Sequence, residues 1–164
     1  MIKISFIGIL TFLLTGNLIS QVSENDFYEV LNQLVEINNV EILSKRAKSL
    51  NIENPLKHEF IDWCINATDE KIELSQIDSA FIMEQIHRFS IIKWEKKRIN
   101  RKIKLKKKAV DYFTIPLFLN KKKDLIVIYH SQYSGPLAAE AKYELYQKIG
   151  ENWKLINLFL IWFS

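Results

Sequence analysis

Four apolar runs between residues 112 and 163, separated by short polar stretches at 120–124, 134–138 and 150–152, constrain this chain more than anything else in it. Connections of five, five and three residues are of hairpin length, so the region is predicted to be an antiparallel meander of four strands. Side-chain alternation then tests the register, because a slip of one residue turns every side chain to the other face. A three-residue loop at 150–152 sets Ile149 opposite Trp153, Tyr143 opposite Phe159 and Ala141 opposite Ile161. A two-residue loop would bring Lys148 and Glu144 into that apolar row. The middle turn sets Tyr129 opposite Tyr143 and Val127 opposite Leu145; the first sets Leu119 opposite Leu125 and Leu117 opposite Val127. All three turns agree in pointing the odd-numbered side chains one way.

The even-numbered face is mixed. Glu140, Lys142, Glu144 and Lys148 make the third strand polar there, whereas Ile126, Ile128, Ile156, Leu158, Leu160 and Trp162 leave the second and fourth strands apolar on both sides. Strands apolar on both faces need cover on both. The cover is a helix, a curled sheet or a second copy of the chain, and Ile156, Leu158, Leu160 and Trp162 are the candidate strip for a homodimer. Pro116 removes one ladder donor and places a bulge or irregular pairing in the first strand.

Upstream, residues 1–20 carry Lys3, an apolar core from Ile4 to Leu14 and small polar residues before Gln21, the pattern of a secretory signal peptide. That core is short for a membrane span, so residues 21–164 are read as one exported domain, periplasmic or secreted. The single Cys64 excludes an internal disulfide, leaving stability to the core. Asn66-Ala67-Thr68 fits a glycosylation acceptor, meaningful only in a eukaryotic secretory route.

Ser23 with Asp26 three residues on is a capping pattern, and Phe27, Val30, Leu31, Leu34 and Val35 follow at helical spacing. Val40, Leu43, Ala47 and Leu50 suggest a second helix. Asn54-Pro55 opens a third, with a strand at 60–65 as its alternative. Ser75 begins a further helix carrying Ile77, Phe81, Ile82, Ile86 and Phe89, the best cover for the sheet. The expected fold is therefore α+β, with N-terminal helices packed on a C-terminal antiparallel meander of four to five strands.

The fifth strand comes from a basic run. Residues 93–108 hold ten Lys or Arg against Glu95 alone, and Ile103 and Leu105 alternate with Lys102, Lys104 and Lys106. Lysines on an exposed edge discourage edge-to-edge pairing; the functional alternative is a site for an anionic polymer, using Arg98, Arg101, Lys102, Lys104 and Lys106. The aromatic interleaving of a single-strand stacking platform is missing. Residues 21–92 carry 13 acids and 6 bases, a net −7, and residues 93–164 carry 6 acids and 16 bases, a net +10. An acidic half against a basic half also implies attraction within the molecule.

No Gly-rich phosphate loop, nucleophile elbow or zinc spacing is present, and no cofactor or metal is implied. His58 and Asp62 would lie one helical turn apart. His87 sits near the apolar face of its helix as a boundary residue. His130 lies on the even face opposite Thr114, where a buried hydrogen bond accounts for it. Tyr129, Ser131, Tyr143 and Asn157 fall in neighbouring rows of the odd face, and a few polar groups on an apolar concavity describe a small-ligand pocket.

At residues 78–85, Lys93-Trp94, Ile115-Pro116-Leu117-Phe118, residues 133–141, Trp153 and Trp162, the chain resembles uncharacterised small exported proteins of Bacteroidota-type bacteria. The resemblance implies export and an α+β domain and brings no activity. Cys residues flanking the Gly turn are expected in such proteins; Ser134 and Ala138 stand here, so no redox or disulfide role carries over. Three function classes follow. The first is an exported non-catalytic binding protein whose partner is a protein or small ligand. The second is a polyanion-binding protein. The third is a small hydrolase built on His58 with Asp62, or on His130.

Overall fold

The structure, a computed structural model, describes residues 21–48, 78–89, 91–135 and 138–163. The signal-like segment 1–20, the third helix or strand beyond Pro55, His58, Asp62, Cys64 and Asn66 lie outside the described residues. The chain is α+β. Its elements are α1 (Glu24–Ile37), β1 (Ile42–Ser44), β2 (Arg46–Lys48), α2 (Ser79–Arg88), β3 (Ile91–Lys93), a 3-10 turn (Lys96–Arg98), β4 (Lys104–Lys106), β5 (Asp111–Phe113), β6 (Leu117–Phe118), β7 (Leu125–Gly135), β8 (Ala138–Ile149) and β9 (Asn152–Phe163).

α1 begins where the capping pattern says it should. Ser23 N–H donates to Asp26 Oδ2 at 2.6 Å while Asp26 N–H donates to Ser23 Oγ at 3.4 Å, satisfying orphan donors of the first turn, a device worth about 1 kcal/mol. The helix ends at Asn38, and Asn39 turns the chain away with φ +52°, a left-handed conformation that Asn tolerates better than most residues. The face from Phe27 to Val35 packs on Ile126, Ile128, Tyr146 and Trp153, covering the even side of β7 and β8. On the odd side Ile82 of α2, capped by Asp78, closes a second cluster with Leu117, Leu119, Leu125, Val127 and Leu145. With a helix on each face, Leu125, Ile126, Val127 and Ile128 are all buried.

The sheet is larger than a four- or five-stranded meander. Seven strands run in the order β4-β1-β5-β7-β8-β9, with β6 also on β7, and β2 with β3 makes a separate pair. β1 lies parallel to both β4 and β5. Residues 42–48 are thus two strands where spacing suggested a second helix. Partners sixty residues away offer β1 a ladder on both sides, and such pairing overrides a weak local preference. The basic segment does supply the edge strand, β4. Among the described residues no helix is long and apolar enough to cross a membrane.

The β7–β8 register is as the alternation requires, with Tyr129 opposite Tyr143 and Val127 opposite Leu145, and Leu117 faces Val127 across β6–β7. Departures occur at two places. At Pro116 the first strand breaks into β5 and β6 with a one-residue shift, so Phe113, not Thr114, lies opposite His130 and joins the even face. At the last turn Ile149 pairs with Asn152 around a two-residue loop whose Gly150 has φ +61°, accessible to glycine without a Cβ penalty. Trp153 then falls opposite Lys148, on the even side, where it meets Phe118 at 6.4 Å. A bulge between Leu145 and Tyr146 restores the register, so Tyr143 does face Phe159; a second bulge sets Ala141 opposite Trp162 rather than Ile161. Bulges let one strand satisfy two patterns by absorbing one residue each. They also divide the proposed strip. Ile156 packs on the odd-side cluster, Leu158 is exposed opposite Glu144, and Leu160 and Trp162 pair with Lys142 and Ala141.

Candidate functional site

Four ion pairs of the described residues join the acidic helical half to the basic half. Lys123 meets Asp26 at 2.9 Å, Lys148 meets Glu29 at 2.9 Å, Lys121 meets Asp78 at 2.8 Å and Arg98 meets Glu24 at 3.6 Å. Arg98 also stacks over the Tyr28 ring at 3.7 Å and bonds Asn25, so it is held against α1 and does not join an open basic surface. Lys96 Nζ donates to the carbonyls of Asn100, Arg101 and Ile103, closing the turn before β4. Lys97 pairs with Glu95 at 3.1 Å.

What remains uncompensated is concentrated at one end of the molecule. Lys45 N–H bonds Lys106 C=O at 2.9 Å, and Trp94 N–H bonds Lys45 C=O at 3.1 Å, tying β2, β3 and β4 together. Arg46 lies directly opposite Lys93 in the β2–β3 pair, a position that sets Cβ atoms about 5 Å apart and destabilises when the charges are alike. Neither side chain has an acidic partner among the described residues, and the same holds for Lys45, Arg101, Lys102, Lys104 and Lys106, all exposed. A groove of about 750 Å³ opens here, with Lys45, Lys93 and Lys96 on its walls together with Glu95, and Trp94 and Leu105 as apolar lining. A second groove of about 670 Å³ takes Lys102 and Lys104 from the same edge and Glu36, Asn39, Glu41 and Asn100 beside them. The basic run made Lys102, Lys104 and Lys106 legible. Lys45 and Arg46 come from a strand that sequence reading missed.

The buried polar groups form a different arrangement. His130 Nε2 lies 3.1 Å from Asp111 Oδ1 and its Nδ1 lies 3.2 Å from Glu144 Oε1. Tyr146 donates to Glu144 Oε2 at 2.7 Å, Asn38 of α1 donates to the Tyr146 hydroxyl at 3.1 Å, and Lys142 reaches Glu144 at 3.1 Å. His130, Glu144 and Asp111 are only 3, 1 and 5 % exposed. Both imidazole nitrogens are occupied and Phe113 stacks on the ring at 4.2 Å, so the network ties β5, β7, β8 and α1 together and presents no reactive atom to a substrate. Among the described residues no three His, Cys, Asp or Glu side chains are grouped to hold a metal ion. His87, expected at the boundary of its helix's apolar face, is exposed in the last turn of α2.

Burial alone would discourage the imidazolium, but the bonds from Asp111 and Glu144 outweigh it and raise the His130 pKa above its ordinary 6.5. Burial would likewise raise the Glu144 carboxyl, yet His130, Tyr146 and Lys142 together hold it below its ordinary 4.5. The linkage signs are opposite. Stability from His130 is fully present below pH 6.5 and is lost as pH rises through its raised folded value; stability from Glu144 is present above pH 4.5 and lost as pH falls through its lowered one. We therefore expect the melting temperature to decline as pH rises above 6.5, with the titration of His130. Imidazole NMR shifts followed against pH check this, and a His130 midpoint below 6.5 would contradict it.

On the odd face Tyr129 and Tyr143 meet edge-on at 5.6 Å, with Asn157 opposite Leu145 in the next row and Ser131 opposite Ala141. Tyr129 and Tyr143 are brought together, while Ser131 and Asn157 lie on either side of them, separated by β8 and by four residues along it. Tyr129, Tyr143 and Ile156 pack partly buried on the α2 cluster, burial raises the Tyr143 phenol pKa, and Asn157 Oδ1 accepts from Leu158 N–H. The two grooves described above open at the other end of the sheet. No protein-family model, curated protein or solved structure is significantly similar to this chain.

Proposed function

We propose that this domain is a non-catalytic, exported binding protein, periplasmic or secreted, whose ligand is anionic and sits against the β2–β3–β4 edge. The observation that carries the reading is Arg46 opposed to Lys93 beside a groove that adds Lys45, whose backbone is bonded to Lys106 of β4, the edge strand that also carries Lys104. A folded chain gains nothing from placing like charges across a ladder, and an anionic ligand turns that repulsion into attraction. Among the described residues no acid pairs with Lys45, Arg46, Lys93, Lys104 or Lys106, and Glu95 on the groove wall is held by Lys97. The signal-like segment and the resemblance to exported proteins support the compartment.

Heparin binding followed by calorimetry tests the proposal. Affinity is expected to fall linearly with salt on logarithmic axes, because cations bound to the polymer are released on binding. Replacing Lys45 and Lys93 with serine should reduce that slope by about one unit per residue, while Lys154→Ser, at an exposed position of β9, leaves it unchanged. Absence of heparin binding even at low salt would overturn the reading.

A further inference from the structure

The two grooves differ in character, and the difference narrows the ligand class. This step rests on the anionic-ligand reading above. β4 contributes Leu105 to the first groove and Lys104 to the second, so the two open at neighbouring residues of one edge strand. The first is cationic over an apolar floor. The second mixes Lys102 and Lys104 with the carboxylates of Glu36 and Glu41 and the amides of Asn39 and Asn100. Asn100 is engaged, donating to Glu36 at 2.6 Å and accepting from Lys102 N–H at 3.1 Å. Asn39 and Glu41 are exposed with no hydrogen-bond partner for their side chains among the described residues.

A polymer with a negative charge on every unit would gain at the first groove and be repelled by Glu36 and Glu41 at the second. Among the described residues, bases of a single-stranded nucleic acid would also find little to stack on, since Trp94, the aromatic residue lining the first groove, is 2 % exposed. Carboxylates and amides side by side instead suit hydroxyl groups, which both donate and accept. Volumes near 700 Å³ lie in the range of small-molecule sites. We infer that the ligand is an acidic polysaccharide with spaced charges, a carboxylated or sulfated sugar lodging between Lys45 and Lys93 and a neutral sugar beside Asn39 and Glu41.

The test compares three probes at equal charge concentration and physiological salt: hyaluronan, which alternates a uronate with a neutral N-acetylated sugar, polyphosphate and poly(dT). Hyaluronan is expected to bind more tightly than the other two. Asn39→Gly keeps the left-handed backbone available and removes only the amide. It should weaken hyaluronan about fivefold, the scale of one lost hydrogen bond, with polyphosphate binding and melting temperature unchanged. Lys93→Ser should weaken all three. Polyphosphate or poly(dT) binding as tightly as hyaluronan, or Asn39→Gly without effect on hyaluronan, would overturn the polysaccharide inference and leave the anionic-ligand reading standing. Failure of every polyanion to bind would remove both.

Discussion

Replacing His130 with alanine is expected to lower the unfolding free energy by about 3–5 kcal/mol, the usual result of breaking a buried charge network from one side. The reason lies in what is left behind. Asp111 and Glu144 each direct an oxygen at a ring nitrogen within 3.2 Å and are almost wholly out of water. Without the imidazolium, two carboxylates face an apolar hole next to Phe113, and Lys142 reaches only the Glu144 side. For a domain of this size the loss corresponds to a fall in melting temperature of roughly 10 °C or more. Adding Glu144→Gln to His130→Ala removes one stranded charge, so the double variant should be more stable than the single one; that non-additivity distinguishes a charge network from simple loss of packing. A single variant within 1 kcal/mol of wild type on chemical denaturation would refute the assignment.

Glu144 also shows where sequence reading stops. On β8 the row Glu140, Lys142, Glu144, Lys148 has the appearance of a solvated face, because polar residues at alternate positions usually are one. Yet Glu144 is 1 % exposed. The missing information was non-local: α1 lies over this face and supplies Asn38 to the hydroxyl of Tyr146. One signal was present. His130 pairs with Lys142 and Ile128 with Glu144, so His130 and Glu144 are diagonal neighbours on one face, within reach across a ladder.

The same contrast runs through the fold. Hairpin register was legible where no bulge intervenes, as across 125–133 and 139–147, and was misread at the equally local last turn, where the β8–β9 bulges conceal a two-residue loop. Pro116 marked the irregularity in the first strand because a missing donor is a property of one residue. β1 was not legible: three residues pairing in parallel with 104–106 leave no periodicity to read, and the stretch around them has helical spacing. With β1 and β2 went Lys45 and Arg46, and so the half of the basic edge that gives it a groove.

The second large effect concerns Gln85, a polar residue inside the apolar stripe of α2. Phe118 bonds β7 on one side of the short strand β6, and its other neighbour is a helix, which has no free backbone groups to complete a ladder. Gln85 substitutes for a strand. Its Nε2 donates to Phe118 C=O at 2.8 Å and its Oε1 accepts from Phe118 N–H at 3.0 Å, with a further bond from Nε2 to Phe81 C=O at 3.0 Å. Both Gln85 and Phe118 are buried, so water cannot replace what the amide supplies. Gln85→Leu keeps nearly the same volume and orphans two backbone groups, each costing about 1–3 kcal/mol when left unsatisfied. The expected loss is therefore about 2–6 kcal/mol, read as a lower urea midpoint. Exchange of the Phe118 amide hydrogen should also accelerate in the variant more than that of Val127 on the neighbouring strand, because the lost partner is local to β6. An unchanged midpoint together with unchanged Phe118 exchange would mean that the amide is not the partner of this edge.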